Sequence, residues 1–468
     1  MLSLQVRRRT LNVLSLLRES LRDEERDYTR GSIRRALVLL AIPMILEMSM
    51  EAIFAVVDIF FVARLGPAAV STVGITEAMM TILYAVSIGI AMATTAMVAR
   101  RIGEGRRRAA AAVAGQSLWV AALLATLIGV VGGWYAPELL ALMGASHEVI
   151  ATGSRYTMVM FAGSASIFYL FLFNAIFRGA GDATIAMRSL WIANAINIVL
   201  DPCLIFGLGP FPEMGLTGAA VATTIGRTVG ICYQLMSLRR TRGRLRMTRH
   251  ALRLRWPLLR RLLRVSAGGV GQYLIVTSSW VLVMRILTMF GTQAVAGFTI
   301  AMRVIYLVFL PAWGLGNAAA TLVGQNLGAK QPERAVRSAW QATWANVGFM
   351  ALVAVVFVGV PELLLRGFTD DAEVIGIGAM CLRIVGAGLP IAAIGMILTQ
   401  GINGAGDTAT PTWLNFIAYW LLQIPLAWWF AQWFAEPGVA WALLISEVTF
   451  SILAIIVFRR GRWQLQDV

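Results

Sequence analysis

Glu47, Glu51 and Asp58 all lie in one apolar run, residues 41–66 (AIPMILEMSMEAIFAVVDIFFVARLG), where carboxylates are not expected without a task. At 100° per residue they fall within about 40° of one another, so they form a single acidic stripe on a helix. Each ionised carboxylate near a bilayer centre costs roughly 2.5–3.5 kcal/mol on insertion scales, so the stripe needs protons, cations, polar partners or water.

A second constellation is Asn194, Asn197 and Asp201 in the run NAINIVLDP. Spacings of three, four and seven return to one helix face. Side-chain oxygens collected there can hold a dehydrated cation such as Na⁺, or keep a carboxyl protonated. Asn174 and Thr223 or Thr224, on the neighbouring apolar segments, are positioned to join them. Polar contacts between membrane helices are the structural alternative. That alternative suffices for Asn194, whereas Asn197 and Asp201 read as a binding pair. Glu77, Arg227, Arg285, Arg303, Arg383 and Glu447 are further charges inside apolar segments. Glu47, Glu51, Glu77 and Arg303, with Gln272, Tyr273 and Tyr306, are candidates for lining a substrate cleft. Flexible methionines and aromatic faces around them would suit varied apolar cations.

The elements that carry these residues are membrane spans. The chain has 468 residues, 58% of them hydrophobic, and a mean hydropathy of +0.74, which excludes a soluble protein of this size. The pattern predicts an all-α polytopic protein with twelve transmembrane helices, at roughly 37–63, 68–98, 109–133, 150–176, 184–207, 215–238, 264–289, 293–323, 336–360, 374–400, 409–433 and 438–458. Arg100, Arg101, Arg106, Arg107 and Arg108 follow the second span, Lys330, Arg334 and Arg337 the eighth, and Arg459, Arg460 and Arg462 the last. Acidic residues mark the opposite loops, so both termini are expected in the cytoplasm of a bacterial inner membrane.

The halves repeat at a nearly constant offset of 225 residues. Glu47 maps to Gln272, Gly89 to Gly314, Gly103 to Gly328, and Gly179-Ala180-Gly181-Asp182 to Gly404-Ala405-Gly406-Asp407. Even numbers of spans give the repeats the same orientation, with a pseudo-twofold axis along the membrane normal. Asp58, Glu51 and Asp201 map to Val283, Val276 and Leu426, so the ionisable groups belong to the first repeat alone. The expected units are an N-terminal cytoplasmic amphipathic segment (1–35), an N lobe (36–238), a basic cytoplasmic linker (239–263), a C lobe (264–460) and a cytoplasmic tail (461–468). The linker stretch 239–264 holds eleven Arg and no acid, and reads as lying on anionic lipid rather than on nucleic acid. Leu11, Leu14, Leu17 and Leu21, with Arg7, Arg8 and Arg9, make 1–35 an amphipathic helix for the membrane surface.

Cys203, Cys232 and Cys381 lack metal-ligand spacing, and only His147 and His250 are present, so neither a zinc site nor an enzyme is expected. No cofactor is called for, and no metal beyond possible Na⁺ at Asp58 and Asp201. The partners implied are a small molecule and the bilayer, around a monomer.

Two six-helix repeats, the first-span run at 42–66, FRGAGDAT at 177–184, NAINIVLDP at 194–202 and VGQNLGA at 323–329 together resemble the multidrug and toxic compound extrusion (MATE) family, over about residues 36–460. The resemblance implies a V-shaped pair of lobes that exports organic cations or other amphipathic compounds in exchange for H⁺ or Na⁺. It also implies an N-lobe cation or proton site at Asp58, Asn197 and Asp201, with Asn174 matching a fourth-span Asn. Members that use a seventh-span acid differ from this chain, which has Gly271-Gln272-Tyr273 nearby, so no C-lobe coupling site is expected. A lipid-linked oligosaccharide flippase of the same superfold is the alternative, which Arg303 and Arg383 keep open and the acidic first helix opposes.

Overall fold

The computed structural model describes residues 15–22, 26–239, 245 and 247–466, and they are almost wholly helical, with no strand among the described residues. In chain order the helices are α1 (Ile33–Ala63), α2 (Pro67–Gly103), α3 (Arg107–Trp134), the short α4 (Ala136–Leu142), α5 (His147–Ala162), α6 (Ser164–Ala180), α7 (Ala183–Phe206) and α8 (Leu216–Arg239). They continue as α9 (Trp256–Leu287), α10 (Thr292–Gly328), α11 (Pro332–Gly359), the short α12 (Pro361–Leu365), α13 (Ala372–Gly404), α14 (Ala409–Asn415), a π-helical stretch (Phe416–Gln423) and α15 (Ile424–Arg460). Pro67 and Pro332 stand in the first turns of α2 and α11, where a missing N–H costs no helical bond.

Ten helical stretches among the described residues are long and apolar enough to cross a membrane. Two features separate that number from the twelve expected spans. Helix α8 carries Thr217, Thr223, Thr224, Arg227, Thr228 and Gln234, which lower its hydropathy. The run Ala409–Arg460 counts once although its 52 residues would extend about 78 Å at 1.5 Å per residue, far more than a single crossing needs. Its backbone breaks at Ala435, where φ is 53° and ψ −139°, two residues before Pro437. That break falls between the spans expected at 409–433 and 438–458.

One apolar core joins residues between Val62 and Val265, and another joins residues between Val283 and Leu443. A third cluster packs Tyr28, Leu40 and Met44 against Leu315, Leu322 and Ile397, so α1 adheres to the second half as well as the first. Close helix contacts recur at the offset found in the sequence. Gly89 of α2 sits against Val270 of α9, and Gly314 of α10 sits against Ile45 of α1; a Cβ at either glycine would overlap the facing backbone. Gly132 faces Phe161 in the first half, while Phe357 faces Gly386 in the second, so the large and small partners have changed places.

The described part of the N-terminal segment is tied to the helix ends. Ser20 and Tyr28 are buried, Thr184 Oγ1 donates to the Ser20 carbonyl at 3.1 Å, and Arg188 donates to the Leu21 carbonyl at 2.6 Å. From the second half, Arg334 donates to the carbonyls of Gly31, Tyr28 and Arg30 at 2.9–3.2 Å. These arginines satisfy backbone carbonyls that no helix would satisfy, so the segment is a strap across the ends of both halves. Arg7, Arg8, Arg9, Leu11 and Leu14 lie outside the described residues. The end of the basic linker is bonded to α3. Gln116 of α3 donates to the Arg253 carbonyl at 2.9 Å and accepts from the Arg255 N–H at 3.0 Å, and Trp119 donates to the Leu252 carbonyl at 2.7 Å.

Candidate functional site

The i, i+4 spacing on α7 brings Asn197 and Asp201 together, and packing of α8 on α7 adds Thr223. The Asn197 Nδ2 donates to Asp201 Oδ1 at 3.2 Å and to Thr223 Oγ1 at 3.0 Å. Asp201 is fully buried, and Asn197 and Thr223 nearly so. Asn197 Oδ1 and Asp201 Oδ2 are buried with no hydrogen-bond partner. Buried polar atoms are rarely left bare, because each costs about 1–3 kcal/mol. Two bare oxygens on adjacent side chains therefore form a set that a proton on Asp201, or a small cation between them, would satisfy.

Asp58 on α1 is half-buried and shares no hydrogen bond with Asn197 or Asp201 among the described residues. Asp58 lies within Coulombic reach of Asp201, Glu77 and Arg227. Asn174 is placed elsewhere. Its Oδ1 accepts from Gln234 Nε2, and Gln234 stands eleven residues beyond Thr223 on α8, about 16 Å along the helix.

The candidate cleft residues divide. Glu51, Glu77, Arg303 and Tyr306 remain accessible, with Tyr306 55% exposed. Glu77 on α2 lies within Coulombic reach of Arg303 on α10, Tyr306 within reach of Tyr273 and Glu51, and Tyr273 within reach of Tyr84. Arg227, whose partners could not be chosen from sequence, lies among Tyr84, Glu51 and Asp58. Tyr156, near Asp58 and Glu77, was not foreseen; an aromatic in an apolar run gives no sequence signal of its own.

Glu47 and Gln272 are corrections to the expected cleft. Glu47 is fully buried, and Arg178 Nη1 of α6 donates to its Oε1 at 3.1 Å. Gln272 and Asn403 exchange hydrogen bonds at 3.0 and 3.1 Å, and Gln272 also donates to the Thr408 carbonyl at 2.9 Å. Gln272 is consumed by partners between helices, whereas Glu47 keeps its second oxygen, Oε2, buried with no hydrogen-bond partner. In the second half, Tyr419 donates to Glu447 Oε1 at 2.9 Å, and Gln423 donates to Ser279 Oγ at 3.1 Å beside the π-helical stretch.

Residues 43–203 and 270–429 match the MatE family. A probable multidrug resistance protein NorM of Thermotoga maritima is 29% identical over 446 residues, covering 93% of this chain and 94% of the relative. Among solved structures, an outward-facing conformation of a multidrug resistance MATE family transporter superposes with a TM-score of 0.85 at 26% identity, covering 93% of this chain and 96% of the other. A transporter of the MOP superfamily from Pyrococcus furiosus superposes with a TM-score of 0.86 at 26% identity, covering 94% of this chain and 98% of the other.

Proposed function

The chain belongs to the MatE family and is a multi-pass membrane transporter, and on that premise we propose that it is a secondary active antiporter that exports organic cations or amphipathic drugs in exchange for H⁺ or Na⁺. It does so with twelve spans arranged as two six-helix lobes about a pseudo-twofold axis along the membrane normal, with α8 as the sixth span and the Ala435 break dividing the eleventh from the twelfth. The recurring contacts of Gly89 with Val270 and Gly314 with Ile45 support this arrangement. The arginine-rich ends face the cytoplasm of the cell membrane, as the positive-inside rule requires.

The observation that carries the mechanism is the pair of bare buried oxygens on Asn197 and Asp201, beside Thr223 and within reach of the Asp58 charge. An ion entering there satisfies both atoms and cancels charge in a low-dielectric setting. In this reading Glu51, Glu77 and Asp58 line one cleft, so that cationic substrate and coupling ion compete for one negative field. Exchange follows if ion and substrate prefer different arrangements of the first lobe, since only differential affinity shifts a two-state equilibrium.

Purified protein in liposomes, loaded with a cationic dye, tests this under an imposed pH gradient and then under a Na⁺ gradient at fixed pH. One of the two gradients is expected to drive efflux. Dye movement indifferent to both would reject antiport and leave a channel or an uncoupled carrier.

A further inference from the structure

Glu447 of α15 is a carboxylate in the second half, inside the span expected at 438–458, and the antiport reading does not use it. Its helix face points into the bundle, because Ala440, Leu443, Phe450 and Ala454, the residues that share that face, are all buried. Tyr419 donates to Glu447 Oε1 at 2.9 Å and packs on Phe450 with ring centroids 5.6 Å apart. The π-helical stretch Phe416–Gln423 sets the position of Tyr419, and such stretches are rare and recur at functional sites. Helix α9 holds the stretch in place. Ser279 Oγ donates to the Tyr419 carbonyl at 3.0 Å, Gln423 Nε2 donates to Ser279 Oγ at 3.1 Å, and Trp420 Nε1 donates to the Ile275 carbonyl at 3.1 Å.

The carboxylate has no cation to balance it. Among the described residues it forms no ion pair, and Tyr419 is the titratable side chain that meets it. On the helices packed against α15, neither Cys381 and Arg383 of α13 nor Tyr273 and Arg285 of α9 bonds to it, and Arg383 is held by Glu362 at 2.6 Å. Glu447 is half-buried, and its Oε2 takes no bond among the described residues, yet unlike Asp201 Oδ2 that atom is not sealed from the surrounding space. An unbalanced carboxylate within a bilayer costs several kcal/mol, which a proton on the free oxygen removes. A hard metal cation needs several oxygen ligands, and the Tyr419 carbonyl is already used by Ser279, so the donor set suits a proton.

The repeat shows that this acid is a departure from the first half. At the offset of 225 residues, Glu447 maps to Ala222, Tyr419 to Asn194 and Ser279 to Phe54, while Thr223 maps to Val448. The first half carries its acid on α7 and the accepting hydroxyl on α8; the second half carries its acid on the equivalent of α8 and the hydroxyl on the equivalent of α7. We propose that Glu447 is a proton-exchange site of the second half, with Tyr419 as the positioning residue that fixes its carboxyl and leaves Oε2 free to take up and release the proton. The site is separate from Asp58 and Asp201, so pH acts on the second half whichever ion drives exchange.

The test is infrared difference spectroscopy of the full-length chain in nanodiscs, stepped between acidic and alkaline buffer, where each carboxyl that gains a proton adds a carboxylic-acid carbonyl band. Glu447→Gln is expected to delete one such band. Tyr419→Phe is expected to keep that band at a shifted frequency, because the carboxyl remains and has lost one hydrogen bond. In Asp58→Asn/Asp201→Asn the Glu447 band is expected to persist. Should Glu447→Gln misfold, displacement of the same band in both Glu447→Asp and Tyr419→Phe carries the assignment, and a band unmoved by either overturns it. A difference spectrum unchanged by Glu447→Gln, or loss of the Glu447 band in Asp58→Asn/Asp201→Asn, likewise overturns the proposal. No transport is measured, so the result stands whether or not efflux is gradient-driven.

Discussion

Glu47 with Arg178 in the first half and Gln272 with Asn403 in the second occupy positions 225 residues apart, and each pair bonds side chain to side chain between helices. One is an ion pair and the other a pair of amides. The amides hold the same joint without taking two charges out of water, so charge is not what the joint needs mechanically. The same contrast recurs at the proposed ion site. Asn197, Asp201 and Asp58 correspond to Leu422, Leu426 and Val283, so the scaffold is duplicated while these three polar groups stand in one copy only. In the antiport proposed above, two halves move against each other and one of them senses the ion.

The comparison breaks most decisively at Asp201→Leu, which writes the second half's residue into the first. Gradient-driven dye efflux from liposomes should fall about a hundredfold, because the ion loses its differential affinity for the two states. The protein should still elute as a folded species in detergent, since leucine serves at the equivalent place.

Glu47→Gln comes next, and its readout is stability. It leaves the Arg178 charge buried beside a neutral amide, and breaking a buried ion pair from one side costs about 3–5 kcal/mol. The double change Glu47→Gln/Arg178→Asn rebuilds the second half's amide pair and should recover most of that loss in denaturant unfolding. If the double variant is as unstable as the single, the two joints are not equivalent.

Thr223→Val should have a smaller effect. Asn197 keeps its bond to Asp201 but loses the Thr223 acceptor, about 1 kcal/mol or some fivefold in apparent ion affinity, read from the ion concentration that half-saturates efflux. Tyr306→Phe retains the aromatic face that meets a cation and should change the dye concentration for half-maximal transport less than about twofold.

Much of this architecture was legible before any coordinates. The helix-face spacing of Asn197 and Asp201 and the offset repeat needed only periodicity, because both are local or strictly periodic signals. Partners across helices were not legible. Arg178 lies 131 residues from Glu47, and nothing near either residue names the other; the repeat map did hold a trace, since Arg178 corresponds to Asn403. Asn174 looked like a site residue by depth and type, but the bond with Gln234 depends on helix rotation that hydropathy does not fix. The leucine spacing of the N-terminal segment is equally compatible with lipid or protein as its apolar partner. Arg188 and Arg334, distant in sequence, tie the backbone of its described part to the helix ends.

The central claim is that the first-half acids couple an ion to export, and Asp58→Asn in dye-loaded liposomes tests it most directly. Asparagine preserves size while removing the charge within Coulombic reach of Asp201. Loss of efflux under the driving gradient, with unchanged folding and with dye still bound, is the predicted result. Efflux against a dye gradient at the unaltered rate would contradict the account.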